Sequence, residues 1–380
     1  MAGTVFDSQL NITRSSRVQF GVATRDDDAG IRRLLRGNPM RGAVSLSMER
    51  EPGYFADAAV PGEEKQTMVA RDSGRIVCAG SCTIRTRFVN REKCRVGYLS
   101  GLRLDAGVAG RFDILRRGYR FFRELQESSP AGYYFTSIAT DNRRARDFLE
   151  RGIAGMPAYE FVGDFVTALI PVKRHKKTAD KFCAGENSVE CMEEVCAFLN
   201  EQGRNHQLVP CWSPEQLAAL EPLGLKMENF RILREDGGMV ACAALWDQRC
   251  FKQTVIRGYS PWLLRARPFI NIAARIASTP RLPAAGSALA HAFVSHFAVV
   301  KNRPEILLQC IETVLEMAAR AKLDFTTLGF GANDPRLAAL TSKFHSRKYH
   351  SRIYRVRWPG MGGSACDLDG RVLCPEVALL

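Results

Sequence analysis

Two glycines between a strand and a helix are the residues of this sequence best suited to hold a phosphate. Residues 95–104 alternate apolar with polar side chains and are rich in strand formers, and the loop 105–110 follows them at once. Gly107 and Gly110 let the backbone approach a ligand closely, and the first amides of the next helix point toward the same place. A tight turn without a ligand would also use glycines here, so the loop alone leaves both interpretations open.

Tyr98 and Ser100 are the side chains of that strand that could take part in a reaction beside the loop. A tyrosine hydroxyl can donate or relay a proton, and a serine hydroxyl can donate a hydrogen bond. No carboxylate lies on the strand itself, so a base would come from Asp141, from Glu160 or from the second half of the chain. The strand therefore supplies a candidate acid, Tyr98, and the base stays unassigned.

The elements that must position these residues are two strands and two helices. Apolar residues recur every three or four positions over 111–125, which predicts a helix directly after the loop. Residues 133–140 predict a second strand. Asn142 can cap the helix that follows, and Gly152 can end it.

The remaining elements of the first half are predicted from the same patterns. The chain upstream of the loop reads as a strand, a helix, a weaker helical stretch and a β-hairpin, and an apolar strand follows Gly152. In chain order these elements span residues 19–24, 26–36, 52–57, 67–84 and 159–172.

Composition indicates a globular protein with room for two domains. The chain has 380 residues, of which 46% are hydrophobic and 25% charged. No run approaches the roughly 18 apolar residues that span a bilayer, and residues 1–17 lack the apolar core of a signal peptide. We therefore expect a cytoplasmic protein without a membrane partner.

Charge and cysteine content narrow the choice of partners. A net charge of +14 favours an anionic partner, such as nucleic acid, a membrane surface or a phosphorylated cofactor. The densest basic run, 173–177, reads as part of a linker. The twelve cysteines are scattered through apolar segments without the spacing of metal ligands, so we expect free thiols and no metal site.

The second half repeats the element order of the first, which indicates a duplication. The hairpin recurs 163 positions later, the long strand 195, the helix 192 and the second strand 190. The aligned segments are 71–77 with 234–240, 98–104 with 293–299, 114–115 with 306–307, and 135–136 with 325–326. Asn142 and Asn333 then open the corresponding helices.

The changing spacing shows where the two copies differ. The increase from 163 to 195 places an insertion at about 251–286, which we interpret as a lid or a contact between domains. The second copy's loop, 300–305, contains no glycine, and its Pro304 has no amide hydrogen to donate. The second copy is therefore poorly suited to bind a pyrophosphate.

The first half resembles the GNAT superfamily of N-acetyltransferases over residues 19–172. The resemblance rests on the order of the elements and on 142–152, which is similar to the family's asparagine–alanine–aromatic–glycine helix. It implies an α/β (α+β) protein of two GNAT-like domains, each a mixed, mostly antiparallel sheet flanked by helices. The expected organisation is an N-terminal domain at 1–172, a basic linker at 173–181, a diverged C-terminal domain at 182–358 and an irregular tail at 359–380.

The resemblance also implies acetyl-CoA as a co-substrate. In such proteins the pantetheine pairs with the long strand, and the pyrophosphate lies on the loop amides and the start of the helix. The cofactor-binding residues implied in this way are Leu102, Arg103, Leu104, Gly107, Val108, Ala109, Gly110, Arg111, Asn142 and Phe148.

Two positions depart from the family's pattern. Leu104 stands where the loop motif usually has arginine or glutamine, and Leu149 stands where the family often has a tyrosine that protonates the departing thiolate. Leucine cannot act as an acid. Tyr98 and Ser100 are therefore the catalytic candidates, and binding is better supported than catalysis.

These observations predict an N-acetyltransferase whose N-terminal half is active on an amine of a small molecule or peptide. Two alternatives stay open. An aminoacyl-tRNA-dependent transferase with tandem GNAT-like halves would suit the net charge, although the lysine-rich linker accounts for part of it and nucleic acid is not the favoured partner. A non-catalytic protein that binds acyl-CoA or another partner would suit Leu149. The sequence does not indicate an oligomeric state.

Overall fold

A computed structural model describes residues 18–57, 63–108, 110–127, 129–173, 182–277, 279–359 and 367–380. Strands dominate the fold. They are β1 (Gln19–Val22), β2 (Val44–Glu49), β3 (Glu64–Asp72), β4 (Arg75–Val89), β5 (Glu92–Leu104), β6 (Tyr133–Ala139), β7 (Ala158–Pro171), β8 (Cys183–Ala184), β9 (Phe230–Glu235), β10 (Gly238–Trp246), β11 (Gln253–Tyr259), β12 (His291–Val299), β13 (Phe325–Gly331) and β14 (Arg347–Arg357).

Eight α-helices accompany these strands in the described part of the chain. They are α1 (Asp28–Gly37), α2 (Phe112–Gln126), α3 (Arg143–Leu149), α4 (Val189–Gly203), α5 (Pro214–Ala219), α6 (Pro261–Ile276), α7 (Pro304–Arg320) and α8 (Pro335–Lys343). Within the same residues, no helix is long and apolar enough to cross a bilayer.

One mixed, mostly antiparallel sheet of twelve strands runs through both halves, in the order β1-β3-β4-β5-β6-β14-β7-β13-β12-β10-β9-β8. The predicted fold class is confirmed, and the two expected sheets are joined edge to edge. The division into domains at 172 and 182 stays a prediction. Residues 174–181 of the expected linker lie outside the described residues.

The last strand of each half pairs with strands of the other half. β14 pairs with β6 of the first half, and β7 pairs with β13 of the second half. The two crossed strands also pair with each other, with Ser351 opposite Phe165 near the centre. Because both last strands hydrogen-bond to the partner half, the halves share one continuous backbone network.

The duplication is visible in the strand register. The β4–β5 ladder shifts between the pairs Ala79–Arg103 and Ser81–Ser100. The β10–β12 ladder shifts between Cys242–Ala298 and Ala244–Ser295, which lie 163 and 195 positions later. The two spacings read from the sequence therefore hold at the level of single residue pairs.

The strand β13 and the helix α8 correspond to other residues of the first half than the sequence predicted. β13 begins 192 positions after β6 (133 to 325), so Phe325 corresponds to Tyr133 and the spacing of 190 was wrong. Asp334, not Asn333, caps α8, because its carboxylate accepts the amide hydrogen of Arg336 at 2.9 Å. Asp334 lies 192 positions after Asn142 and is its true counterpart.

Most predicted elements of the first half are confirmed, and one is wrong. The hairpin, the long strand and α2 lie where the pattern indicated. Residues 54–57 form a turn instead of a helix. The segment is short and begins with Pro52 and Gly53, the two poorest helix formers. The Asp28 carboxylate accepts the Tyr54 amide hydrogen at 2.6 Å and ties this turn to α1.

The insertion in the second half forms β11 and α6. β11 pairs with β2 of the first half in a separate two-stranded sheet. The insertion therefore makes a contact between the halves, and its expected role as a lid stays a prediction.

The largest core lies between the halves, on one face of the sheet. Along β12, Phe293 enters this core, whereas Ala292 and Val294 pack on the other face against α7. Helix α4 covers the shared core together with the last residues of the chain, including Leu373 and Val377. The cysteines in the described part of the chain are free thiols, as expected.

Candidate functional site

A V-shaped gap opens between β5 and β6, and we call it the N-terminal wedge. The two strands pair in parallel only from Val96 with Tyr133 to Leu99 with Thr136. The Thr136 hydroxyl donates to the Leu99 carbonyl at 2.7 Å at the point where the strands separate. Beyond it, β6 pairs with β14 along its other edge, so residues 100–104 of β5 border the gap.

A bulge in β5 lies at the mouth of this wedge. Gly101 has φ +66°, in the left-handed region that favours glycine, and the β4–β5 register shifts beside it. Ser100 lies directly before the bulge, opposite Ser81. The bulge turns the backbone of β5 where a ligand in the wedge would meet it.

The predicted phosphate loop is partly closed by its own aspartate. The Asp105 carboxylate accepts the Gly107 amide hydrogen at 2.9 Å and also pairs with Arg75 at 2.8 Å. These two contacts, in that order, lower the pKa of Asp105. The Val108 amide donates to the Asp105 carbonyl at 3.0 Å. A phosphate at Gly107 would have to displace the Asp105 carboxylate.

The other predicted cofactor residues lie around this loop. Arg111 pairs with Asp113 at the start of α2 at 2.7 Å. Phe148 of α3 stacks on Phe112, with ring centroids 4.9 Å apart, which brings α3 against the loop. Asn142 caps α3 by accepting the Ala145 amide hydrogen at 3.2 Å. Ala109 lies outside the described residues.

Three predicted strand residues differ in their surroundings. Leu102 and Leu104 pack against the hydrophobic cluster beneath α2. The Arg103 guanidinium donates to the Leu102 carbonyl at 2.9 Å, and desolvation lowers its pKa. Leu149 is buried, in agreement with a packing role.

Tyr98, the candidate acid, is buried against Phe135, with ring centroids 4.9 Å apart. Burial raises the pKa of Tyr98 to about 12, against the opposing effects of Arg87 and Arg103. Its hydroxyl therefore stays protonated at neutral pH. Glu160, a possible base, instead forms ion pairs with Arg355 and Arg357.

A polar chain that the sequence did not reveal leads away from the bulge. The Ser81 hydroxyl contacts Tyr54 Oη at 2.7 Å and Thr67 Oγ1 at 2.9 Å. Lys65 Nζ lies 5.3 Å from the centre of the Tyr54 ring. Asp57 binds both Lys65 and Arg50. Burial raises the pKa of this carboxyl, but the charges of Arg50 and Lys65 outweigh burial and lower the pKa to about 2.

Lys252 of the second half joins this group, and we call Arg50, Asp57, Lys65 and Lys252 the junction cluster. Desolvation, followed by the charge of Arg50, lowers the pKa of Lys252 to about 7. Its ammonium donates to the Leu380 carbonyl at 2.8 Å. At neutral pH the amine therefore exchanges between its charged and its basic form.

The second half contains the equivalent gap between β12 and β13, the C-terminal wedge. These strands pair only from His291 with Phe325 to Phe293 with Thr327. His296, 195 positions after Gly101, has φ +49° at the equivalent bulge. Two non-identical residues thus adopt the same unusual backbone conformation at matching places.

The C-terminal wedge is filled by residues 373–377 of the chain itself. The Gly331 amide donates to the Leu373 carbonyl at 3.0 Å, and the His296 amide donates to Glu376 Oε2 at 3.0 Å. Burial raises the pKa of Glu376 to about 7. What remains is a cavity of about 50 Å³, lined in part by Trp212 and Glu376.

Comparison with known proteins finds similarity in structure alone. No protein-family model matches the chain, and no curated protein matches its sequence. N-myristoyltransferase of Saccharomyces cerevisiae with bound myristoyl-CoA superimposes with a TM-score of 0.60 at 12% identity, over 95% of this chain and 85% of that chain. A GCN5-related N-acetyltransferase from Sphaerobacter thermophilus superimposes with a TM-score of 0.53 at 12% identity, over 92% of this chain and 99% of that chain.

The chain therefore has a GNAT-superfamily fold built from two GNAT-like halves, in agreement with the sequence resemblance. Both solved structures are matched over most of their length, so the similarity includes the pairing of the halves. At this identity it concerns the fold.

Proposed function

We propose that the chain is an acyl-CoA-dependent N-acyltransferase that uses its N-terminal half. The similar structures include an N-acetyltransferase and an N-myristoyltransferase with bound myristoyl-CoA. Acetyl-CoA is the co-substrate we propose first, and a longer acyl group is the alternative that the second structure raises. The acceptor is an amine of a small molecule or peptide.

The observation that carries this proposal is the difference between the wedges. Residues 373–377 occupy the C-terminal wedge, so an acyl-CoA cannot bind there without displacing them. The N-terminal wedge retains Gly101 at its bulge and the glycine-containing loop at its end. This difference supports our proposal that acyl-CoA binds in the N-terminal half.

The filled wedge also suggests how the thioester is held. In the C-terminal wedge, the bulge amide of His296 donates to a carboxylate oxygen of Glu376. In our proposal the equivalent amide, that of Gly101, donates to the thioester oxygen. A fixed donor there stabilises the negative charge that develops on this oxygen during attack.

The reaction needs a neutral amine, which attacks the thioester carbon as the carbon–sulfur bond breaks. Lys252 is our candidate base, because the junction cluster adjoins the polar chain that starts at the bulge. The neutral form of this amine can accept the proton that the substrate amine loses. Tyr98 stays protonated at neutral pH and is our candidate acid for the departing thiolate, with Ser100 as a further donor. Leu149 takes no chemical part.

The proposed cofactor contacts follow the geometry of the wedge. The pantetheine would pair with the backbone of residues 102–104, and the pyrophosphate would lie on residues 107–111 after Asp105 has released Gly107. Asn142 and Phe148 would border the same end of the wedge through α3.

The test combines calorimetry with a turnover assay. Titration with acetyl-CoA and with myristoyl-CoA should show one site, and thioester cleavage should depend on an added amine. Gly110→Pro removes an amide hydrogen and should abolish binding, whereas Gly110→Ala keeps that hydrogen and places its Cβ where no atom lies within 4 Å.

Each alternative gives a different result. If neither CoA ester binds, or if Gly110→Pro binds as wild type does, the proposal is wrong. Binding without turnover across an amine panel would indicate a non-catalytic acyl-CoA-binding protein. A salt-sensitive gel shift with tRNA would instead favour the aminoacyl-tRNA-dependent transferase.

A further inference from the structure

Helix α6 presents a continuous apolar face to solvent. Trp262, Phe269, Ile272 and Ile276 are 64%, 75%, 61% and 82% exposed. Their spacings of seven, three and four residues place them on one side of a helix of 3.6 residues per turn. Single exposed apolar residues are common, but four large ones along one side of a 16-residue helix indicate a binding surface.

Contacts on the opposite side hold this face outward. Leu263 and Ala274 are buried beneath the helix. Asn271 exchanges two hydrogen bonds with the backbone of Leu282, at 2.7 and 3.1 Å. The Arg267 guanidinium donates to the same Leu282 carbonyl at 3.0 Å. Rolling the apolar face inward would break all of these contacts.

The positive charge of the region around α6 favours an anionic partner. Residues 248–304 contain no aspartate or glutamate. Arg265 and Arg275 are exposed on α6, and neither forms an ion pair with the residues that the structure describes. A second copy of the chain would bring like charges together without carboxylates to neutralise them. An anionic lipid surface matches both the apolar side chains and the arginines.

We propose that α6 docks the protein on anionic membranes by inserting Trp262, Phe269, Ile272 and Ile276 into the interfacial region. The helix lies flat in this arrangement, with the arginines reaching the headgroups. This proposal departs from the sequence-based expectation of no membrane partner, which stays untested. It does not depend on the proposed acyl transfer.

The test uses the full chain with two kinds of vesicle, phosphatidylcholine alone and an equimolar mixture with phosphatidylglycerol. Trp212, Trp246 and Trp358 are buried, so a blue shift of tryptophan emission on binding would report Trp262. We expect the shift with the anionic vesicles, its weakening in high salt, and its loss in Trp262→Phe.

Two variants separate the apolar from the electrostatic contribution. Phe269→Ser with Ile276→Ser should lower the partition coefficient by roughly 10-fold or more. Arg265→Gln with Arg275→Gln should lower it by roughly 30-fold on anionic vesicles alone. Val189→Ser removes an exposed apolar residue of α4 and should change nothing.

Three results would overturn the inference. They are failure of the wild type to bind anionic vesicles, undiminished binding by both double variants, and a dimer in light scattering that Phe269→Ser with Ile276→Ser dissociates. The last result would assign the face to self-association. Because the changed side chains are exposed, circular dichroism and thermal unfolding should match those of the wild type.

Discussion

The two wedges lie at matching places in the two halves but differ in what occupies them. Both are bordered by a strand with a bulge at a residue of positive φ, Gly101 in one half and His296 in the other. The first remains bordered by a glycine-containing loop. The second is sealed by residues 373–377, and the bulge amide of His296 is already bonded to Glu376. Duplication has thus yielded one wedge suited to a ligand and one that binds part of its own chain.

The filled wedge serves as an internal reference for the other. The contact between His296 and Glu376 shows that a bulge amide in this fold can donate a hydrogen bond to an oxygen held in the wedge. Lys252 of the second half interacts electrostatically with Arg50, Asp57 and Lys65 of the first half. Under the proposed function the halves divide their tasks, and each difference between matched positions can be tested by a pair of substitutions.

The largest expected effect on kcat comes from substitution at the bulge of the N-terminal wedge. Gly101→Val places a branched side chain at φ +66° and should reorient the amide, so we expect kcat to fall by roughly 100-fold. His296→Asn is its counterpart. Asparagine tolerates a positive φ, so turnover should persist, although loss of the ring contact with Trp212, centroids 4.1 Å apart, should lower stability. Steady-state kinetics would contradict the comparison if His296→Asn lost more activity than Gly101→Val.

Substitution of Lys252 tests whether the second half supplies the base of the proposed reaction. Because the amine is basic only above its pKa of about 7, the wild-type rate should rise through neutral pH and then level off. Lys252→Met should lower kcat/KM at pH 8 by about 100-fold and remove this rise. Removing a nearby positive charge with Lys65→Met should raise the pKa of Lys252 and move the rise to higher pH. Identical pH–rate profiles for all three proteins would exclude Lys252 as the base.

The sequence predicts those parts of the molecule that follow a period or a repeat. The spacing of apolar residues indicates α2, and the spacings of 163 and 195 align the two bulges that the structure reveals. The crossing of β7 and β14 leaves no comparable signal, since a strand shows the same alternation whichever neighbour it pairs with. Lys252 and its surroundings were also missed, because Lys65 and Arg50 are distant in sequence and only folding brings them near.

The phosphate loops offer a matched pair of arginines. Arg111 and Arg303, 192 positions apart, both precede the helix that follows the bulged strand, and each pairs with an acidic residue two positions later. If the first loop alone binds the pyrophosphate, Arg111→Gln should weaken acyl-CoA binding by roughly 10-fold, the value of one charge-assisted hydrogen bond. Arg303→Gln should leave the affinity unchanged. Equal losses in calorimetry would mean that neither arginine binds the cofactor directly.

The smallest expected effect on turnover concerns the segment that seals the second wedge, where we expect a change in stability instead. Burial raises the pKa of Glu376 from its ordinary 4.5 to about 7, so the folded protein binds this proton more tightly than the unfolded chain does. Its contribution to stability is therefore complete below pH 4.5 and is lost as the pH rises through 7. Glu376→Gln can still accept the His296 amide hydrogen but carries no charge. The free energy of unfolding of this variant should thus increase relative to the wild type by roughly 2 kcal/mol between pH 5 and pH 8. Parallel curves from urea titrations would show that this carboxylate is not buried in the wedge, and the contrast between the two wedges would then lose its main support.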